Sequence, residues 1–293
     1  MEKYIEFTLE NGIKAVKIEN IPYLDIYKTF DCGQCFRFEP VSIFGNKYEF
    51  EGVAFGKYVI FGQNHPNEII IYNATKDDYQ NIWRDFLSLD TDYEKINEEI
   101  TLAINHQHMD KTVEYGKGIR ILKQDKWEAL CSFIISQNNN IPRIKKIITA
   151  LCEKYGQCVD FLGKKHYSFP SADTLLQAGV EEIFNLKTGF RAKYIIDACE
   201  KIVNGEIDLD AIYNEENFDT CVDNLCKIKG VGLKVASCAL LFGFNKTQAF
   251  PIDVWIKRVI ENRFNNNLDI SLFGKNGGIA QQYLFYYERY NRV

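Results

Sequence analysis

The sequence has no apolar run long enough to cross a bilayer, which takes ~20 residues. The longest, VASCALLFGF at 235–244, stops far short. The first residues, MEKYIEFTLENGIKAVKIEN, hold no apolar core of a secretory signal. No membrane partner is expected, and the expected location is the cytoplasm. Abundant Asn, Lys, Ile and Tyr suit an AT-rich genome and a prokaryotic, nucleoid-associated protein. Proline is scarce, 6 in 293 residues. No Pro- or Ser-rich tract, internal repeat or low-complexity segment interrupts the chain, so its parts should pack directly on one another.

Metal-ligand sets are missing as well. Cys32 and Cys35 form CGQC, but no second C-x-x-C and no suitable Cys/His pair follows it. His106 and His108 in HQH lack a third ligand and read as a solvated stretch. No metal is expected. The nine cysteines, an odd number in an unexported chain, read as reduced thiols rather than a disulfide framework. Positive charge is not in excess either: 35 Lys and Arg face 40 Asp and Glu, a net charge of -5. Binding to phosphates then needs a local basic face. A candidate lies between 117 and 146, with Lys117, Arg120, Lys123, Lys126, Arg143, Lys145 and Lys146 against Asp125 and Glu128.

What is present is a large globular chain, 46% apolar and 14% aromatic. At 293 residues it exceeds the usual size of one core, so two or three subdomains are expected. Up to about residue 75, segments such as IEFTLE, CFRFEP, KYEFEGVAF, KYVIFGQ and EIIIYNA alternate apolar and polar residues, with Gly and Asn at the breaks. That period predicts a curved antiparallel sheet. From 76 on the period becomes helical and stays so to the C-terminus. Strands followed by helices define an α+β chain. The division expected is a sheet domain with trailing helices over 1–112 and a helical domain over 113–293.

Within the helical part, DNLCKIKGVGLKVASCALLFG predicts a helix ending near Ile228, a tight turn, and a second helix from Leu233. Gly230 and Gly232 permit close backbone approach and φ values that other residues resist. The turn aims the N–H groups around Gly230, Val231 and Gly232 outward at a helix N-terminus, which suits an anion such as a DNA phosphate. Lys234 falls in the first helical turn, where the dipole favours its uncharged, nucleophilic form. A useful neutral fraction takes roughly 3 to 5 kcal/mol, of which a dipole gives about 1, so burial should add the rest. Asp253, in AFPIDVW, stands where a carboxylate caps the next helix or faces the lysine.

IKGVGLKVASC followed by AFPIDVW resembles the helix-hairpin-helix, Gly/Pro-rich loop and aspartate signature of the base-excision DNA glycosylases. The most similar family is the 8-oxoguanine DNA glycosylases. The resemblance extends, in the family's order, through DCGQCFRF (31–38), GKGIRILKQDKWEALCSFIISQNNNIPRI (116–144), GFRAKYI (189–195) and GIAQQYLF (278–285). It implies a TBP-like N-terminal antiparallel sheet, then two mainly helical subdomains enclosing the active cleft, with the helix-hairpin-helix at about 217–244.

The resemblance also implies roles. Lys234 would attack C1′ of the damaged nucleotide and form a Schiff base that permits β-elimination, giving a glycosylase with an AP lyase step. Asp253 would stabilise the cationic sugar. Gly33, Cys238, Gln281 and Phe285 would hold a flipped-out 8-oxoguanine: the Gly33 carbonyl accepts the N7–H, Cys238 and Phe285 cover its faces, and Gln281 bonds its pairing edge. Asn138, Arg143 and Arg191 would hold the orphaned partner, cytosine, while Phe190 wedges into the base step. The implied partner is double-stranded DNA bound by a monomer. No cofactor is implied, because the cysteine tail that binds an iron–sulfur cluster in related glycosylases is absent after Cys238. Two positions depart from the family: Trp255 stands where many relatives have a phosphate-contacting histidine, and Phe190 where tyrosine is common. Three other readings of the residues stand beside this one: a glycosylase for another purine lesion, a noncatalytic hairpin module, and a redox protein built on Cys32 and Cys35.

Overall fold

The computed structural model describes residues 2–291. Six strands come first among them: β1 (Lys3–Thr8), β2 (Lys14–Glu19), β3 (Glu39–Pro40), β4 (Tyr48–Ala54), β5 (Lys57–Gln63) and β6 (Glu68–Tyr72), with helix α1 (Ile26–Asp31) between β2 and β3. They form one sheet in the order β1-β2-β6-β5-β4-β3, and every pair is antiparallel. Alternation works on both faces. Val16, Ile18, Val59, Phe61, Ile69 and Ile71 point to a core completed by Phe30 of α1 and by Trp83 and Phe86. Tyr58, Ile60 and Tyr72 point the other way.

One expected strand does not form. CFRFEP pairs only through Glu39 and Pro40. Its alternation serves two cores instead of two sheet faces: Cys32 and Phe36 enter the helical core, whereas Cys35 and Phe38 enter the sheet core. The segment is thus a seam between them. A second hairpin, β7 (Cys158–Phe161) with β8 (Lys164–Tyr167), departs from the all-helical expectation beyond residue 76. It covers the second sheet face, with the Phe161 and His166 rings tilted against the Tyr58 ring at 4.6 and 4.0 Å between centres.

The chain then runs through α2 (Lys76–Asp78), a wide turn at Tyr79–Trp83, α3 (Arg84–Phe86), α4 (Tyr93–Ala103), α5 (Gln107–Gly116), α6 (Lys126–Ser136) and α7 (Ile141–Tyr155). After the hairpin come α8 (Ala172–Ile183), α9 (Arg191–Val203), α10 (Leu209–Asn214), α11 (Phe218–Cys226), α12 (Leu233–Gly243), α13 (Val254–Phe264) and α14 (Gly277–Tyr290). Asp125, Asn140 and Asp253 each cap a helix, accepting from the backbone N–H three residues on. Helix α6 is buried from Trp127 to Ile135, and α12 from Val235 to Gly243. They cross closely because position 243 is glycine: a Cβ there would lie 2.7 Å from the Ala129 methyl. Residue 112 falls inside α5, whose Gly116 abuts the Tyr283 ring of α14. The Tyr283 hydroxyl also donates to Asn97 of α4.

The window of basic residues at 117–146 does not form a basic face. Arg120 is 1% exposed and donates to the carbonyls of Pro22, Tyr23 and Ser88. Lys117, Lys123, Lys126 and Lys145 each pair with a carboxylate, of Glu114, Asp85, Asp210 and Glu39. Apart from Glu114, three residues before Lys117, these partners are distant in sequence and are supplied by the fold.

His108 is not solvated as HQH suggests. It packs edge-on against Phe264 and Tyr287, and burial pushes its imidazole down to about 4. Between that value and the ordinary 6.5 the unfolded chain binds a proton that the native state refuses. Stability therefore falls as pH drops through this window. Denaturant titrations from pH 7 to pH 4 should show a smaller loss for His108→Phe than for the wild type.

Candidate active site

The hairpin between α11 and α12 has a positive-φ corner at Gly230 (φ +78), where a Cβ would also lie 2.3 Å from the Tyr194 ring. Gly232 differs from expectation. Its φ of -105° and ψ of -179° are open to any residue, and nothing lies within 4 Å of its would-be Cβ. What glycine gives there is an unobstructed approach to the helix N-terminus. Val231 is also corrected: it is 5% exposed and its N–H donates to the Ile228 carbonyl, so it is not offered outward. The Lys229 N–H is held by Asp197. The helix's first internal bond runs from Ala236 N to Gly232 O. The N–H groups of Leu233, Lys234 and Val235 precede it, which leaves the anion-binding end of the helix intact.

Lys234 projects from this turn and is exposed, contrary to the burial expected for it. It stands at the open mouth between the helical halves, so protein atoms alone do not dry it. It nonetheless lines a cavity of about 410 Å³ together with Asp253, Gly33, Cys238, Gln281 and Phe285. Asp253 does both things left open by the sequence: its Oδ1 caps α13 by accepting from Ile256 N at 2.9 Å, and its carboxyl group borders the cavity.

Cys238, one turn beyond Lys234, is 6% exposed. Its thiol is pushed up to about 11, by burial first, with Lys234 opposing and the Asp253 charge reinforcing the rise. It is a neutral, polarisable wall. Gln281 is 5% exposed, and its Oε1 is buried with no partner among the described residues. A buried acceptor without a donor costs about 1–3 kcal/mol, so this oxygen is an unspent acceptor in the cavity wall. Gly33 sits in the left-handed region (φ +79), and its would-be Cβ lies 3.6 Å from both the Phe285 ring and Ile141. Cys32 and Cys35 are buried, and burial pushes both thiols up to about 12. That state is opposite to the thiolate a redox dithiol uses.

A wider groove of about 870 Å³ meets the cavity at Lys234, Asp253 and Trp255 and runs past Asn138, Phe190 and Gly232. Phe190 is 50% exposed at the start of α9. Asn138 is exposed and adopts φ +47. Arg143 is exposed and touches the Lys187 carbonyl at 3.3 Å. Arg191 departs from expectation. It is 2% exposed and donates to the carbonyls of Gln137, Asn138 and Thr188, which engages four of its five donors. It holds the turn that displays Asn138 instead of presenting a free guanidinium. Trp255 lies beneath the Arg258 guanidinium, 5.7 Å from its ring centre, and borders both spaces.

Two sets of cavity residues escape sequence reasoning. Ser136 and Asn139 line the wall next to Phe133, and the only signal for them is the polar run SQNNN closing an apolar helix. Gln282 is 3% exposed, and its signal is a second consecutive glutamine in a helix otherwise rich in apolar residues. Among the described residues no group of three or more His, Cys, Asp or Glu side chains is placed to hold a metal ion. No helix among them is long and apolar enough to cross a membrane.

A glycine-cornered hairpin, a lysine on its second helix and a capping aspartate beside a base-sized cavity define the class of helix-hairpin-helix repair proteins. Consistent with that, residues 131–269 match the family model described as HhH-GPD superfamily base excision DNA repair protein. Residues 16–130 match that of the 8-oxoguanine DNA glycosylase N-terminal domain. The chain belongs to the 8-oxoguanine DNA glycosylase family. It is similar to the 8-oxoguanine glycosylase/lyase of Clostridium acetobutylicum, solved with double-stranded DNA containing cytosine opposite 8-oxoguanine. The two are 35% identical with a TM-score of 0.89, over 99% of each chain. MBOgg1, solved with a low-affinity DNA ligand, is 36% identical with a TM-score of 0.89, over 98% of each chain. The N-glycosylase/DNA lyase of Saccharomyces cerevisiae is 35% identical over 159 residues, and this chain spans only 42% of that protein's length.

Proposed function

We propose that this chain removes 8-oxoguanine from duplex DNA and then cleaves the strand at the abasic site. The observation that carries the reading is the buried, unpartnered Gln281 Oε1 in a cavity whose mouth holds Lys234 and Asp253. A guanine-type pairing edge presents two donors, N1–H and N2–H, to such an acceptor, whereas the adenine edge presents one, N6–H, beside the N1 acceptor. The two-donor edge makes fuller use of the Gln281 oxygen, which favours an oxidised guanine over an alkylated adenine. The Gly33 carbonyl meets the N7–H that 8-oxoguanine has and guanine lacks, while Cys238 and the Phe285 ring cover its two faces. One such hydrogen bond is worth about 1–3 kcal/mol, so base flipping and catalysis supply the remaining discrimination.

In the reaction the neutral Lys234 amine gives its lone pair to C1′. The C1′–N9 bond breaks, and its electron pair and a proton leave with the base. The resulting N,O-acetal opens to a Schiff base as the C1′–O4′ bond breaks and O4′ takes up a proton; loss of a C2′ proton to the departed base or to water then expels the 3′ phosphate by β-elimination. The Asp253 carboxylate faces the positive charge that builds on the sugar. Bound DNA covers the cleft mouth and supplies the desolvation that the free protein lacks at Lys234. These steps balance without a cofactor. A duplex substrate places the enzyme in the compartment that holds the chromosome.

Leu233, Lys234 and Val235 N–H groups receive a backbone phosphate, Phe190 fills the gap left by the flipped nucleotide, and Asn138 and Arg143 bind the estranged cytosine. Arg191 acts behind them by holding the Asn138 turn. The test is single-turnover excision on duplexes with 8-oxoguanine opposite each of the four bases, with borohydride added to capture the Schiff base. Wild type should form a covalent adduct and prefer cytosine. Arg143→Gln should lower that preference about tenfold or more, since a good base contact is worth roughly 1–3 kcal/mol. Equal rates opposite cytosine and adenine in the wild type would refute the opposite-base assignment.

A further inference from the structure

Helix α14 does more than present Gln281 and Phe285. Gln282 Nε2 donates to the Cys32 carbonyl at 2.7 Å, a bond between residues 250 apart in sequence. Farther along the same helix, Arg289 donates to the Asp31 carbonyl at 2.8 Å. On the other side of Gly33, Gln124 Nε2 donates to the Gln34 carbonyl at 2.7 Å. The Gln34 side chain is itself fixed, donating to the carbonyls of Thr29 and Arg120 and accepting from Leu122 N. The peptides before and after the Gly33–Gln34 peptide are therefore both held, the first by Gln282 of α14 and the second by Gln124. Between them, the Gly33 carbonyl accepts no hydrogen bond among the described residues.

This arrangement answers a physical need. Gly33 has no Cβ to restrict its backbone, so a carbonyl on it swings easily unless its neighbours are anchored. A swinging acceptor must be ordered when the base arrives, and that cost weakens both binding and orientation. Gln282 is buried, polar and absent from the chemistry proposed above, yet its amide is spent on this one loop. We propose that Gln282 is a positioning residue for lesion recognition: it holds the Cys32 carbonyl and so fixes the direction of the neighbouring Gly33 carbonyl. The helix that meets the pairing edge of the base through Gln281 thereby also sets the acceptor for its N7 edge. The inference rests on the 8-oxoguanine reading above.

Two substrates separate this role from a merely structural one. Excision from an 8-oxoguanine:cytosine duplex requires the base in its cavity, whereas cleavage of a preformed abasic duplex requires Lys234 but no base. Gln282→Met keeps the side-chain size and removes the donor. Single-turnover excision should fall about tenfold or more relative to abasic cleavage, the effect of one lost buried hydrogen bond. A proportional fall in both activities, or no fall in either, overturns the proposal. Gln282→Glu serves if the methionine variant folds poorly, because its carboxyl donates to Cys32 only when protonated. The ratio of excision to abasic cleavage should then recover as pH falls, and a pH-independent ratio overturns the assignment. Wild type that cleaves abasic DNA but leaves 8-oxoguanine in place would remove the underlying reading, and the role of Gln282 with it.

Discussion

Lys234→Gln should yield no borohydride-trapped DNA adduct and should lower excision of 8-oxoguanine on the order of 10⁶-fold, the scale seen when a covalent nucleophile is removed. The amide of glutamine delocalises its nitrogen lone pair into the carbonyl and cannot attack C1′. The protein itself should be untouched. Lys234 is exposed and in the first turn of α12, where a cation opposes the helix dipole, so its removal leaves stability equal or slightly raised. Duplex binding should survive, because the N–H groups of that turn and the shape of the groove remain. Excision and Schiff-base trapping lost together, with an unchanged melting temperature, is the expected pattern. An adduct that persists in Lys234→Gln would assign the chemistry to another amine. A wild type that itself forms no adduct, with duplex binding unchanged in Lys234→Gln, would leave a noncatalytic hairpin module as the reading.

Asp253→Asn should reduce excision by about 10²- to 10³-fold, the usual effect of removing one preorganised charge from a reaction centre. The choice of asparagine matters because Asp253 has two jobs. Its Oδ1 accepts from Ile256 N and caps α13, and asparagine caps as well as aspartate does. The variant therefore removes the charge and keeps the helix. Asp253→Ala would also lose the cap, at about 1 kcal/mol, and confound the two effects. Single-turnover rates with matched melting temperatures check the prediction. A rate within a few-fold of wild type would show that the carboxylate serves only as a cap.

Much of this site was legible because its signals are local. A hairpin that turns within a few residues writes its glycines side by side, and i, i+4 spacing puts Lys234 and Cys238, or Gln281 and Phe285, on shared helix faces whatever the rest of the fold does. The order of strands before helices was equally plain, since each period is a property of its own segment. Resemblance to a known family then joined segments that spacing alone leaves separate. What failed were inferences that needed partners from elsewhere. The basic window dissolved into ion pairs with Glu39, Asp85 and Asp210, His108 went into an aromatic cluster, and CFRFEP became a seam between two cores.

Arg191 and Lys234 show the same division at single residues. Both are cations beside polar loops in the sequence, and for both the resemblance implies a place against DNA or its reacting atoms. The fold buries the first among the carbonyls of Gln137, Asn138 and Thr188 and leaves the second at the mouth of the cleft. The sequence by itself determined most of the elements, the hairpin and the chemical types of the residues proposed to react, because these follow from neighbours a few residues apart. Only the tertiary structure decided which polar atoms remain unspent, the Gln281 oxygen and the Gly33 carbonyl among them. Whether a donor or acceptor is free depends on distant groups that folding brings within hydrogen-bonding reach.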